Sequence, residues 1–270
     1  MNRLGQWFVC ALAILTAGSA WGAAAPQAAV ASASDPAPDV TQILTNMEYL
    51  RGFRGTGFNF TADVISMENG TTSEENQLDV KIGETGSALI EVLTPKSQRG
   101  RRTLLSGHDI WLYLPSSSNI IRIAPLQRVF GFASIADVLN ISYLSGYSVE
   151  SSHVSEGSGH LLHLTLKSQD AQATYARIDL DYDVTNNRPV ETRHYTASGR
   201  LLKTIQYKEF RTYDGHPKIE KIAIFDALRT SSVIWMKMSE YRKASYPDTM
   251  FTKYALGKKY DTPEVAHGSE

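Results

Sequence analysis

The stretch Pro95 to Pro125, PKSQRGRRTLLSGHDIWLYLPSSSNIIRIAP, constrains the fold more than any other part of the chain. Its three short apolar runs, Thr103–Leu105, Ile110–Leu114 and Ile120–Ile123, are separated by Ser106-Gly107-His108-Asp109 and by Pro115-Ser116-Ser117-Ser118-Asn119. Runs this short, bounded by turn-forming residues, are strands of antiparallel hairpins. Side chains alternate across a strand, so Trp111 and Tyr113 share one face and Ile110, Leu112 and Leu114 the other. Both faces are apolar, which predicts a central strand covered on each side.

The same grammar extends in both directions. Upstream, Phe58, Phe60, Ala62 and Val64 alternate with Asn59, Thr61 and Asp63, Glu68-Asn69-Gly70 supplies a tight turn, and strands follow at Leu78–Ile82 and Ser87–Leu93. Downstream, strands are predicted over Gly146–Val154, Gly159–Lys167, Thr174–Val184, Arg188–Tyr195, Arg200–Phe210, His216–Ala227 and Ser231–Tyr241, with Gly-, Asn- and Ser-rich turns between them. One helix precedes them: Asp39 is its N-cap, Val40, Ile43, Leu44, Met47 and Leu50 form its apolar stripe, and Gly52 ends it. That stripe has only the sheet to lie on.

Leu126–Tyr143 breaks the period of two. Phe130, Phe132, Ile135, Val138, Leu139 and Ile141 make it apolar, and Ser134 ahead of Ala136-Asp137-Val138-Leu139 suggests a short capped helix. A long apolar insertion is costly in water, so it either folds back over the sheet as a flap or forms an ordinary packed connection. A last segment begins at Tyr246-Pro247-Asp248, from which Met250, Phe251, Tyr254 and Leu256 are expected to dock as a short helix or hook.

The ends carry their own signals. Residues 1–22 have the layout of a secretory signal: Arg3, the apolar core Trp7–Leu15, and Ala20-Trp21-Gly22 before the cleavage point. Residues 23–38, rich in Ala, Ser and Pro, form a flexible leader; 39–256 form one domain and 257–270 a polar tail. The only cysteine, Cys10, lies inside the signal, so the mature chain has no disulfide framework, thiol nucleophile or cysteine-held metal. With 27 basic and 28 acidic residues there is no basic footprint for nucleic acid.

Several other functions find little support. An outer-membrane barrel is disfavoured because Asp179, Asp181 and Asp183 share one side of a strand, and Lys218, Glu220 and Lys221 crowd another. His160 and His163 fall on opposite faces and cannot share an ion. Asp179-Leu180-Asp181-Tyr182-Asp183 lacks the glycine and glutamate of a calcium loop. No nucleophile elbow, phosphate loop or carboxylate pair marks a catalytic site or a cofactor.

What remains is apolar strand surface with few helices to cover it. Phe58, Phe60, Trp111, Tyr113, Leu162, Leu164, Ile222, Ile224, Met236 and Met238 are expected to form a common inner wall, either a filled core or a ligand trough. The pattern alone favours the filled core. Arg99, Arg101, Arg102 and Arg122 flank the Trp111 strand and are candidates for a cationic rim facing an anionic head group or partner.

Pro95, Gly100, Leu104-Leu105, Gly107, Trp111-Leu112-Tyr113-Leu114-Pro115 and Arg122-Ile123 together resemble the outer membrane lipoprotein-sorting, LolA-like family, over about Asp39 to Tyr254. The resemblance implies an unclosed antiparallel half-barrel with an N-terminal helix and a mid-chain helical lid. It implies a periplasmic, non-catalytic carrier that holds lipid or lipoprotein acyl chains in an apolar trough, which reverses the preference for a filled core. It also implies a membrane partner, an RND/MMPL-type inner-membrane transporter; a non-carrying accessory subunit of such an exporter is the alternative. The arginine with which carriers of this family latch their lid has no evident counterpart in the sequence.

Overall fold

The structure, a computed structural model, describes residues 39–258 apart from 54, 131–132, 140–141, 156–158 and 172. The expected signal at 1–22 and leader at 23–38, like most of the expected tail, lie outside the described residues.

The first helix, α1 (Val40–Arg51), starts where Asp39 caps it: the carboxylate accepts from the Thr41 and Gln42 amides at 2.9 and 3.2 Å. It buries Ile43, Leu44, Met47 and Leu50, the stripe that helical spacing predicts. Gly52 follows for steric reasons, since a Cβ there would lie 2.2 Å from the Phe58 ring.

Six strands come next: β1 (Phe58–Glu68), β2 (Thr71–Ile82), β3 (Ala88–Thr94), β4 (Arg102–Ser106), β5 (Asp109–Leu114) and β6 (Asn119–Ile123). The β1–β2 turn uses Asn69 and Gly70, both at positive φ, as an Asn-Gly hairpin requires. The insertion holds a small hairpin, β7 (Arg128–Phe130) and β8 (Ala133–Ser134), and two single-turn helices, α2 (Ile135–Val138) and α3 (Tyr143–Gly146). Seven strands finish the sheet: β9 (Tyr147–Val154), β10 (Leu161–Ser168), β11 (Arg177–Asp183), β12 (Arg188–Tyr195), β13 (Leu201–Tyr213), β14 (His216–Asp226) and β15 (Ser232–Lys243).

These build one 13-stranded antiparallel sheet in the order β6-β5-β4-β3-β2-β1-β15-β14-β13-β12-β11-β10-β9. Two meanders, β1–β6 and β9–β15, join where the first and last strands pair, Val64 opposite Met236. The sheet does not close: β6 and β9 are its two edges, and the insertion runs between them. The expected open half-barrel with its helix and insertion is therefore the fold.

The register brings Phe58 and Phe60, Met236 and Met238, Ile222 and Ile224, and Leu162 and Leu164 onto one face, which is covered by α1 and the insertion. Trp111 and Tyr113 are not there. Leu105 pairs with Ile110 and Thr103 with Leu112, so it is Ile110 and Leu112 that join the inner face. The outer face of β3–β5 is roofed by Tyr246, Met250, Phe251 and Leu256, and Trp111 and Tyr113 pack under that roof. Strand β5 is covered on both sides as predicted, but it lies one strand from the edge and is not central. Tyr254 does not dock with its neighbours; it is 86% exposed.

Candidate functional site: a groove at the open seam

The two halves of the inner face are covered differently. Over β10 and β11, Ile43, Leu44 and Met47 of α1 pack on Leu162, Leu164, Leu166, Ile178, Leu180 and Tyr182, and this part is solid. Over β1–β5 the cover is the insertion, through Val129, Phe130, Ala133, Ile135, Val138 and Leu139.

Space remains at the seam where the sheet fails to close. A groove of about 430 Å³ lies between the inner face of the β4–β5 hairpin, lined by Leu105 and Ile110, and the β10–β11 loop, lined by Ser168, Asp170 and Thr174. Ile135, Ala136 and Leu139 of the insertion form its wall. Across it His108 Nδ1 lies 3.6 Å from Asp170 Oδ2, so the two ends of the sheet approach each other. A second chamber of about 270 Å³, lined by Phe58, Ile82 and Ala88, meets the first at Leu105, Leu139 and Ser142. Volumes of this order are those of small-molecule pockets, roughly 300–1,000 Å³. Beneath α2 is a third, enclosed space of only about 30 Å³, walled by Phe60, Ile222 and Met238 together with Arg51, Tyr143, His194 and Tyr207.

The insertion is held down by cations from three elements. Lys203 of β13 pairs with Asp137, which also accepts from Ser134 Oγ at 2.8 Å and the Ser134 amide at 2.7 Å, completing a capping box on α2. This pair is buried, so either partner alone would leave an uncompensated charge. Arg51 Nη2 donates to the Leu139 carbonyl at 3.2 Å. Arg101 donates to the Val129 carbonyl and lies over the Phe130 ring, and burial pulls its guanidinium below its ordinary pKa. Glu48 of α1 accepts from Ser142 Oγ and the Leu144 amide at 3.1 and 3.2 Å, tying α1 to α3. The segment is thus a flap pinned by directional polar contacts, one of them from Arg51 of α1.

The four arginines expected to form one rim are dispersed. Arg101 points into the flap. Arg102 pairs with Glu91 at 2.9 Å and donates to the Leu256 carbonyl at 3.1 Å, fastening the C-terminal hook to the outer face. Arg99 donates to the Leu93 carbonyl of its own turn at 2.9 Å. Only Arg122, paired with Asp109, borders the groove. The cause is register: neighbours on a strand point to opposite faces. Likewise Lys218, expected on a wet face, is 1% exposed and donates to the Tyr49 and Gly52 carbonyls, capping the C-terminus of α1.

Among the described residues no helix is long and apolar enough to cross a membrane, and no cluster of His, Cys, Asp or Glu is arranged to hold a metal ion.

An unclosed antiparallel sheet with a pinned flap and an apolar groove at the seam defines the half-barrel class. A family model described as "Uncharacterized protein" matches residues 84–258. The chain is similar to the crystal structure of a LolA superfamily protein from Nitrosomonas europaea, at 26% identity and a TM-score of 0.70, over 81% of this chain and 99% of that one. It has the fold of a putative outer membrane lipoprotein-sorting protein domain from Vibrio parahaemolyticus, at 18% identity and a TM-score of 0.64, over 81% of this chain and 98% of that one. No curated protein sequence matches the chain. The chain belongs to the LolA-like family.

Proposed function

We propose that the chain is a carrier of lipid or lipoprotein acyl chains, held in the seam groove under the flap. The observation that carries this is the groove itself: about 430 Å³ of space lined by Leu105, Ile110, Ile135 and Leu139, in a molecule whose other inner-face half is packed solid. Burial of acyl chain from water is favourable by about 0.8 kcal/mol per CH₂, so roughly ten buried methylenes supply about 8 kcal/mol, the scale of micromolar binding before the cost of association is subtracted. The action is binding and release, without catalysis. Loading and unloading require the flap to move, since Ile135 and Leu139 form the groove wall and are themselves held by the Lys203–Asp137 and Arg51–Leu139 contacts.

The sorting role printed for the Vibrio relative and the signal-like residues 1–22 support a periplasmic location. We place an RND/MMPL-type inner-membrane transporter as the partner that receives or supplies the cargo, on the family resemblance of the Trp111 strand. Native mass spectrometry with lipid extraction of protein purified from the periplasm tests the carrier: co-purifying lipid is expected. Protein that comes out empty, takes up no added acyl lipid, yet still binds the transporter would instead be an accessory subunit.

A further inference from the structure

We propose that the enclosed cavity beneath α2 is the head-group subsite for a long-chain fatty carboxylate; this rests on the acyl-carrier function proposed above and adds which end of the cargo goes where.

In the cavity, polar groups converge inside an apolar wall. Phe60, Ile222 and Met238 surround it, while Arg51, His194 and Tyr207 supply its polar side. His194 is buried; its Nε2 lies 2.9 Å from Thr192 Oγ1, and its Nδ1 has no hydrogen-bond partner. A buried polar atom left without a partner destabilises a fold unless something else occupies the space beside it. The neighbouring hydrogen bonds are long: the Tyr143 and Tyr207 hydroxyls are 3.5 Å apart, and Tyr207 Oη is 3.4 Å from Thr192 Oγ1. Bonds at that distance are weak, so these hydroxyls retain most of their capacity for a better partner.

The set consists mainly of donors. A guanidinium, phenols and an imidazole meet there, and the wall's carboxylate, Asp137, is already engaged by Lys203 and Ser134. Burial, then Arg51 and Lys203, push the His194 pKa down to about 3, so the ring meets a ligand neutral and able to donate through one nitrogen. Burial also holds the Tyr143 phenol well above its ordinary pKa, so it keeps its proton. A planar carboxylate is the group that a guanidinium flanked by hydroxyl donors recognises best. Size agrees: about 30 Å³ admits a water or two, or a carboxylate in their place, and leaves little room for a phosphate with its attached glycerol.

The cavity also lies directly beside the groove. Ala136 lines both, so α2 is the wall between them. Phe60 lines the cavity and Phe58, two residues along β1 with its ring 6.2 Å away, lines the smaller groove chamber. A chain whose carboxylate sits at Arg51 would reach the groove along these two rings once α2, the wall between the two spaces, shifts aside. The carboxylate then competes with the Leu139 carbonyl for Arg51, so seating the head loosens the flap.

The test uses the full chain, stripped of lipid, at pH 8. Affinities for hexadecanoate, hexadecanol and 1-hexadecanoyl-glycerol-3-phosphate are measured by calorimetry, and hexadecanoate labelled with ¹³C at its carboxyl is followed by NMR. Hexadecanoate is expected to bind at least tenfold more tightly than the other two, with the carboxyl resonance staying in its ionised position several tenths of a pH unit or more below the free acid's midpoint. Arg51→Gln is expected to bring the acid-to-alcohol ratio to within twofold of one; Tyr207→Phe should lower it about threefold. The ratio is the readout because loss of Arg51 also loosens the flap and shifts all three affinities together. Equal binding of acid and alcohol by the unmodified chain, or preference for the phosphate, overturns the head-group subsite while leaving the carrier in place. Failure of all three to bind overturns both. The unmodified chain alone decides the matter if Arg51→Gln does not fold.

Discussion

The inner face of one sheet is covered in two ways, and the contrast separates stability from function. Over β10 and β11 a twelve-residue helix seats three apolar side chains in a closely packed cluster, and it is capped at both ends, by Asp39 and by Lys218. Over β1–β5 the cover is made of single turns and a two-strand hairpin, held by Asp137–Lys203, Arg51–Leu139 and Arg101–Val129. Apolar packing is cumulative and non-directional, whereas a few polar pins can be exchanged for others at little net cost. A carrier needs both kinds of cover: one that never opens and one that can.

The sharpest way to break the contrast is to place the same charge in each half. Leu164→Asp, in the sealed half, should abolish cooperative urea unfolding, because an unpaired carboxylate there has neither water nor partner. Leu105→Asp, on the groove wall, should cost only about 1–2 kcal/mol and reduce acyl-chain uptake at least tenfold. Equal damage from the two would mean that the groove half is also solid core.

Acid should attack the flap side through His194. Its folded pKa of about 3 lies below the ordinary 6.5, so the unfolded chain binds the extra proton first. The stability this residue contributes is complete above about pH 6.5 and is lost as pH falls towards 3, at about 1.4 kcal/mol per pH unit at most. Urea unfolding followed from pH 7 to pH 4 should show that slope, and His194→Gln should flatten it.

Asp137→Ala strands Lys203 under the flap and should cost about 3–5 kcal/mol, whereas Asp137→Leu combined with Lys203→Met should recover most of it. Hydrogen exchange over 128–139 would show whether the flap loosens first. The smallest effect is expected on the outer face. Trp111→Ala should cost about 2 kcal/mol by loosening the hook and leave acyl-chain affinity within twofold, since Trp111 touches neither groove nor cavity. A large loss of binding would return Trp111 to the cargo wall.

Which parts were legible in the sequence follows from these forces. Strands, turns and α1 were, because period-two alternation, Asn-Gly turns and an Asp cap act locally. That Phe58, Phe60, Leu162, Leu164, Ile222, Ile224, Met236 and Met238 share a face was expected from alternation, whereas which part of that face leaves space was not. At β5 both faces are apolar, and the tie is broken by Met250, Phe251 and Leu256, far along the chain, whose docking the local pattern predicts but whose place of docking it does not. Arg51, His194, Lys203 and Lys218 were missed for a related reason. A single polar residue on an amphipathic element reads as solvated surface until its partner from another element is known.

The insertion leaves the sheet at one free edge, β6, and returns at the other, β9. The flap is therefore strung between the two lips of the opening like a cord across a bow. Movement of the two lips apart or together would tighten or slacken it, so the state of the flap is coupled to the curvature of the sheet.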